Sequence, residues 1–310
     1  YLCCHIPIGI DIKVIATYSS WIYSKPLNGS IALALSMLMP FSVLLSGATI
    51  FALVLNFPLI RIAVQSLFAL GILTLIGLFL NFGFYEIFLN SLFVWLPAIL
   101  LALVYVKSSS TTLTIQVLSL ITIGALLIFY LLVENPESFW NQILINTKDI
   151  LLESGLDDEA IIIQDQMNLI SGQIASMIGV MIWSLYSFLV TLGVNISHSN
   201  DINSKKNDSF INLNLGKSIA SIAALSSLCL FVFDSFWIEN LAYMSLLFFW
   251  LQGLSIIHWL RANNIISRFF LIFLYILFPI LNIFIVMLLA VVGYTDAWFN
   301  FRSKIKVFNN

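Results

Sequence analysis

Uncharged, apolar stretches of about 20 residues recur along this chain, the length of α-helix that crosses a hydrocarbon layer roughly 30 Å thick. Hydrocarbon cannot hydrogen-bond a backbone, so such stretches must be helices or strands of a closed barrel. Their apolarity is continuous, without the period-two alternation of barrel strands. The expected fold is all-α: a polytopic transmembrane helix bundle whose solvent is the lipid bilayer. Composition agrees, because 61% of the 310 residues are hydrophobic and 9% are charged, against about a quarter charged in soluble domains.

Six central spans are expected, at about 60–80, 86–106, 112–133, 172–194, 216–234 and 240–260. Basic loops mark the cytoplasmic side of a membrane protein. Arg61, Lys107, the group Lys205, Lys206 and Lys217, and the pair Arg261 and Arg268 fall on every second connection, whereas the turns near Asn81 and from Asp234 to Glu239 carry no basic residue. The alternation assigns 134–171 to the extracytoplasmic face. The end regions 29–56 and 267–300 are too long for one upright span, and they contain Pro40 and Pro279, residues that interrupt helices. Two long helices would give eight segments with both termini outside. Two short hairpins would give ten, and would bring Lys13, Lys25, Arg302, Lys304 and Lys306 inside, the arrangement the basic-inside pattern favours.

The resulting division is a cytoplasmic or interfacial segment 1–28, a first membrane half 29–133, an acidic extracytoplasmic segment 134–171, a transmembrane helix 172–194, a polar cytoplasmic loop 195–215, a second membrane half 216–300 and a basic tail 301–310. The acidic segment carries eight carboxylates, from Glu134 to Asp165, against Lys148. Phe139, Trp140, Ile143, Leu144, Ile150 and Leu151 recur near every third and fourth position, the pattern of an amphipathic helix lying on the bilayer surface. The Asn- and Ser-rich loop 195–215 reads as a flexible linker.

Chemical motifs are scarce. Cys3, Cys4 and His5 have no second ligand pair and Cys229 stands alone, so no metal centre is expected. The chain starts at Tyr1, and Tyr1–Gly9 lacks the charged, hydrophobic and cleavable series of a signal peptide. Gly216-Lys217-Ser218 resembles the end of a phosphate loop, but Ile211 stands where that loop needs glycine. His5, His198 and His258 form no zinc-protease motif and no nucleophile elbow is present. No enzyme activity, cofactor or nucleic-acid partner is expected.

Polar residues within spans are costly in hydrocarbon and point to helix contacts or cavities. Gln252, nine residues before Arg261, lies well inside the membrane and shares a helical face with Ser255. These two are the candidate ligand-binding residues, Gln252 having more hydrogen-bonding capacity than one neighbouring hydroxyl can satisfy. His258 is expected at the interface. Asp296, Trp298 and Arg302 end the last apolar run as candidate interface anchors, Arg302 within reach of phosphate headgroups. The small-residue pairs Gly172 with Ser176, Ala175 with Gly179, and Ala220 with Ala224 read as packing seams.

The runs Trp250–His258 and Gly293–Arg302, with Phe129–Trp140 and the acidic region after it, resemble the YybS-like family of predicted bacterial membrane proteins, in its proteobacterial branch. The likeness extends over nearly the whole chain from about residue 18. It implies location in the bacterial cytoplasmic (inner) membrane. It also implies distant kinship with the substrate-binding S-components of energy-coupling-factor transporters, hence a helical bundle around a small-molecule pocket and an energising partner protein. No residue here matches a ligand-binding motif of those transporters. The alternative is a noncatalytic scaffold or assembly factor, which needs a filled interior and an exposed seam rather than a roomy cavity.

Overall fold

Among the residues described by the computed structural model, 12–81, 83–199 and 210–305, every regular element is helical. In chain order these are α1 (Ile12–Ser24), α2 (Pro26–Met37), α3 (Ser42–Asn56), α4 (Leu59–Leu80), α5 (Phe84–Ser108), α6 (Thr111–Leu132), α7 (Pro136–Glu153) and α8 (Asp157–Ile170). There follow α9 (Ile174–His198), α10 (Gly216–Cys229), α11 (Phe236–Leu247), α12 (Phe249–Ala262), α13 (Arg268–Leu277), α14 (Asn282–Phe299) and α15 (Phe301–Lys304). The expectations placed on Tyr1–Gly9, Lys205, Lys206, Ser209 and Lys306 lie outside the described residues.

Among the described residues, five helices are long and apolar enough to cross a membrane: α4, α5, α6, α9 and the continuous stretch of α11 and α12, Phe236–Ala262. Local chemistry sets several ends. The Ser110 hydroxyl accepts from the Leu113 N–H to start α6, and Asn135 accepts from the Ser138 N–H to start α7, whose first residue is Pro136. These are N-caps for donors that the first turn leaves free. The outer faces are apolar, with Phe79 87%, Leu131 83% and Phe269 82% exposed. Such a surface suits hydrocarbon rather than water.

Both end regions are broken at the residues around their prolines. The first gives α2 and α3, folded against each other so that the Ser46 hydroxyl donates to the Leu33 carbonyl at 3.2 Å. α3 then runs parallel to α9, with Gly47 against Leu189, Gly193 against Phe51, and the Asn56 amide donating to Ser197. The second gives α13 and α14. α13 returns along α12, through His258 to the Tyr275 hydroxyl at 2.8 Å and Phe278 on Trp250 at 6.0 Å. The turn after α13 therefore stands level with Trp250, about 18 Å along the helix from Ala262 at 1.5 Å per residue. α9 and the α11–α12 stretch are parallel, since Asn240 meets Gly172 and Ser176 while Trp250 meets Ser184. Both hairpins thus start and end at one face of the bundle and turn within its depth.

One expectation requires correction. α9 continues to His198, and 210–215 is no free linker: Phe210, Leu213 and Leu215 are buried, and Phe210 packs on His258. His258 is itself 5% exposed, because α13 and this segment cover it. At the opposite end of the bundle α7 pairs with α8 and buries none of its residues fully. It touches the bundle where Phe129, Phe139 and Trp140 form an aromatic cluster with centroids 5.1–5.7 Å apart.

Candidate functional site

Two arrangements stand out. The first is a buried polar clamp built on the predicted residues. α12 and α14 cross at Gly253 and Gly293, where each glycine abuts the backbone of the other helix. That close approach lets Gln252 reach Asp296. The Gln252 Oε1 accepts from the Leu215 N–H at 2.8 Å and its Nε2 donates to Asp296 Oδ2 at 2.9 Å. Asn300, in the left-handed region at φ 48°, turns the chain after α14. Arg302 comes back beneath Asp296 and donates to the same Oδ2 at 2.9 Å. The guanidinium also donates to the carbonyls of Ile211 and Leu213 at 2.9 and 2.8 Å, and Ser255 donates to Ile211 at 3.0 Å.

This clamp satisfies backbone groups in a segment whose one 3-10 turn, Phe210–Asn212, leaves carbonyls without donors. Gln116 adds a donor to the Asn214 carbonyl, and Gly216 takes φ +78° to turn into α10. The glycine of the Gly-Lys-Ser run thus serves a turn. Both ends of the Gln252 amide are engaged, and neither Gln252 nor Ser255 lines the cavity described below. Asp296 is fully buried and Arg302 is 10% exposed, bonded inward rather than toward headgroups. Trp298, 38% exposed, stands apart from the clamp beside Tyr294.

The second arrangement is a cavity of about 710 Å³ between α5, α6 and α9, with Trp140 of α7 at its end. Pro97 explains part of its wall. Proline has no N–H, so the Phe93 carbonyl one turn earlier loses its helical donor. The Tyr186 hydroxyl supplies one at 2.7 Å. Thr122 back-bonds to the Leu118 carbonyl. The Trp140 Nε1–H is buried without a partner. The cavity is lined by Phe93, Pro97, Gly179 and other largely apolar residues.

Sequence reasoning assigned none of these cavity residues to a site. Ala175 with Gly179 and Trp140 were singled out for packing and amphipathicity; Gly179 does lie against Met244 of α11, and all three line the cavity. The available signal was a proline inside a long apolar span. Comparison of the chain with family models, curated proteins and solved structures finds no match. The conclusion at this level is an all-helical chain whose long apolar helices are compatible with an integral membrane protein.

Proposed function

We propose that the chain is a noncatalytic, multi-pass protein of the bacterial cytoplasmic membrane that binds an apolar small molecule between α5, α6 and α9. The cavity carries this reading. Its volume of about 710 Å³ lies in the range of roughly 300–1,000 Å³ typical of small-molecule sites. Its largely apolar lining favours a hydrocarbon chain. The resemblance to the YybS-like family points the same way, and a transport role would require an energising partner chain.

In this reading α2–α3 and α13–α14 are hairpins entering from the cytoplasmic face, giving ten membrane segments. In a variant without native cysteines, Ser154→Cys is expected to react with an impermeant maleimide in intact cells, and Ser209→Cys only after permeabilisation. The reverse pattern would overturn the orientation.

The site has its own test. Ala125 lines the cavity from an exposed position, so Ala125→Trp fills it without crowding the core. Protein purified from native membranes is expected to carry a chain-bearing molecule, measured by mass spectrometry, and the variant to carry about tenfold less, a loss of about 1.4 kcal/mol in binding. Equal loading of a stably folded variant would sink the proposal.

A further inference from the structure

We propose that Lys25 and Arg61 form a site for the headgroup of an anionic phospholipid, at the corner where α1 passes into α2 and α3 into α4. Contacts on both sides of the two residues bring them together. Two positions before Lys25, the Tyr23 ring meets the Phe57 ring with centroids 5.7 Å apart, and the Arg61 Cζ lies 3.5 Å from the centroid of that same Phe57 ring. One position after Lys25, the Pro26 carbonyl accepts from Gln65 Nε2 at 2.9 Å. Gln65 stands one turn beyond Arg61 on the same side of α4. Each cation is thus flanked by residues that touch the flanks of the other. Both stand where α4, a helix long enough to span the membrane, begins, and neither lines the cavity between α5, α6 and α9.

The two charges have no counter-charge in the surrounding chain. From residue 12 to residue 85 the sequence holds no Asp or Glu, and among the described residues neither side chain has a hydrogen-bond or ion-pair partner. Other arginines are committed: Arg302 is paired with Asp296, and Arg261 donates to Asn264. Lys25 is exposed. Of the Arg61 side-chain nitrogens only Nε is buried, so the two terminal nitrogens keep accessible surface. Stacking on Phe57 holds the guanidinium plane, and its paired donors match two oxygens of a phosphate. The neighbours select a lipid over a free phosphate. Leu27 and Ile60 are 58% and 75% exposed beside the cations, and Val64 and Phe68 continue an exposed apolar strip along α4. A phosphate held at this corner leaves its acyl chains lying on that strip, while the two basic residues favour a headgroup of net negative charge.

The probes are dioleoyl phosphatidylglycerol and dioleoyl phosphatidylcholine, which share chains and phosphate and differ in net headgroup charge. In a lipid titration of the full-length protein in detergent, read by native mass spectrometry, the first phosphatidylglycerol is expected to bind about tenfold more tightly than the first phosphatidylcholine. The Lys25→Gln, Arg61→Gln double variant should bring the two lipids to parity. Arg61→Lys keeps the charge without the stacked plane and should fall between. Arg261→Gln removes a basic residue from another helix end and should leave the preference intact. The double variant gives up one ring contact and no hydrogen bond, so its thermal unfolding should stay close to the parent's; if it folds poorly, Lys25→Gln alone, at an exposed position, should still lower the preference. Equal binding of the two lipids by the parent, a preference that survives in either of these folded Lys25 variants, or an equal loss in Arg261→Gln would overturn the proposal, the last by showing general charge attraction. Inorganic phosphate at the lipid's concentration should displace none of the phosphatidylglycerol; full displacement would assign the corner to free phosphate instead.

Discussion

Asp296→Ala is expected to lower stability by about 3–5 kcal/mol, the usual cost of removing one member of a buried ion pair. The reason is what the substitution leaves behind. Arg302 keeps its charge, 10% exposed, with only the carbonyls of Ile211 and Leu213 and a longer contact to Ser255 around it. Gln252 loses the acceptor for its amide. Denaturant unfolding of the purified protein in detergent would measure the loss, and limited proteolysis should show earlier cleavage at 210–215, the segment the clamp holds. Asp296→Asn keeps an acceptor oxygen and should fall between the two. A loss below about 1 kcal/mol for Asp296→Ala would mean that the pair behaves as an exposed one.

Gly253→Ala is the second large effect. A Cβ at this position would overlap the Leu289 carbonyl, and one at Gly293 would overlap the Phe249 carbonyl. A backbone carbonyl cannot rotate away as a side chain can, so the two helices must separate. Overpacking of this kind costs about 1–3 kcal/mol, and the separation also lengthens the Gln252 to Asp296 bond. Gly253→Leu should fail to assemble. Gly71→Ala is the control, because nothing lies within 4 Å of its added carbon, and alanine is the better helix former by about 1 kcal/mol. Thermal unfolding of the two alanine variants separates the effects; equal melting would show that α12 and α14 do not need the close crossing.

Much of the architecture was legible along the chain because hydrocarbon imposes a local rule: each apolar stretch must satisfy its own backbone, so length and apolarity are enough to find a helix. The expected spans 60–80, 86–106, 112–133 and 172–194 meet α4, α5, α6 and α9 within a few residues. Pro40 and Pro279 marked the breaks for an equally local reason, the missing N–H. The 210–215 end of the expected linker was misread because polarity alone does not distinguish solvated chain from a strip of backbone held by distant side chains. Gln252 was legible as a polar group at depth, but its partners were not: Leu215 is 37 positions away and Asp296 is 44.

The sequence by itself determined an all-helical chain with long apolar helices and interrupted ends, since these follow from composition and from hydrogen bonds within each segment. Tertiary structure decided which buried polar groups found partners and where space was left. Asp296, Trp298 and Arg302 lie within seven residues of one another, yet packing turns the first and last inward and leaves Trp298 outside the clamp. The cavity depends on Tyr186 reaching the Phe93 carbonyl across 93 positions of chain. A void is a property of how surfaces fail to meet, and no single helix contains that information.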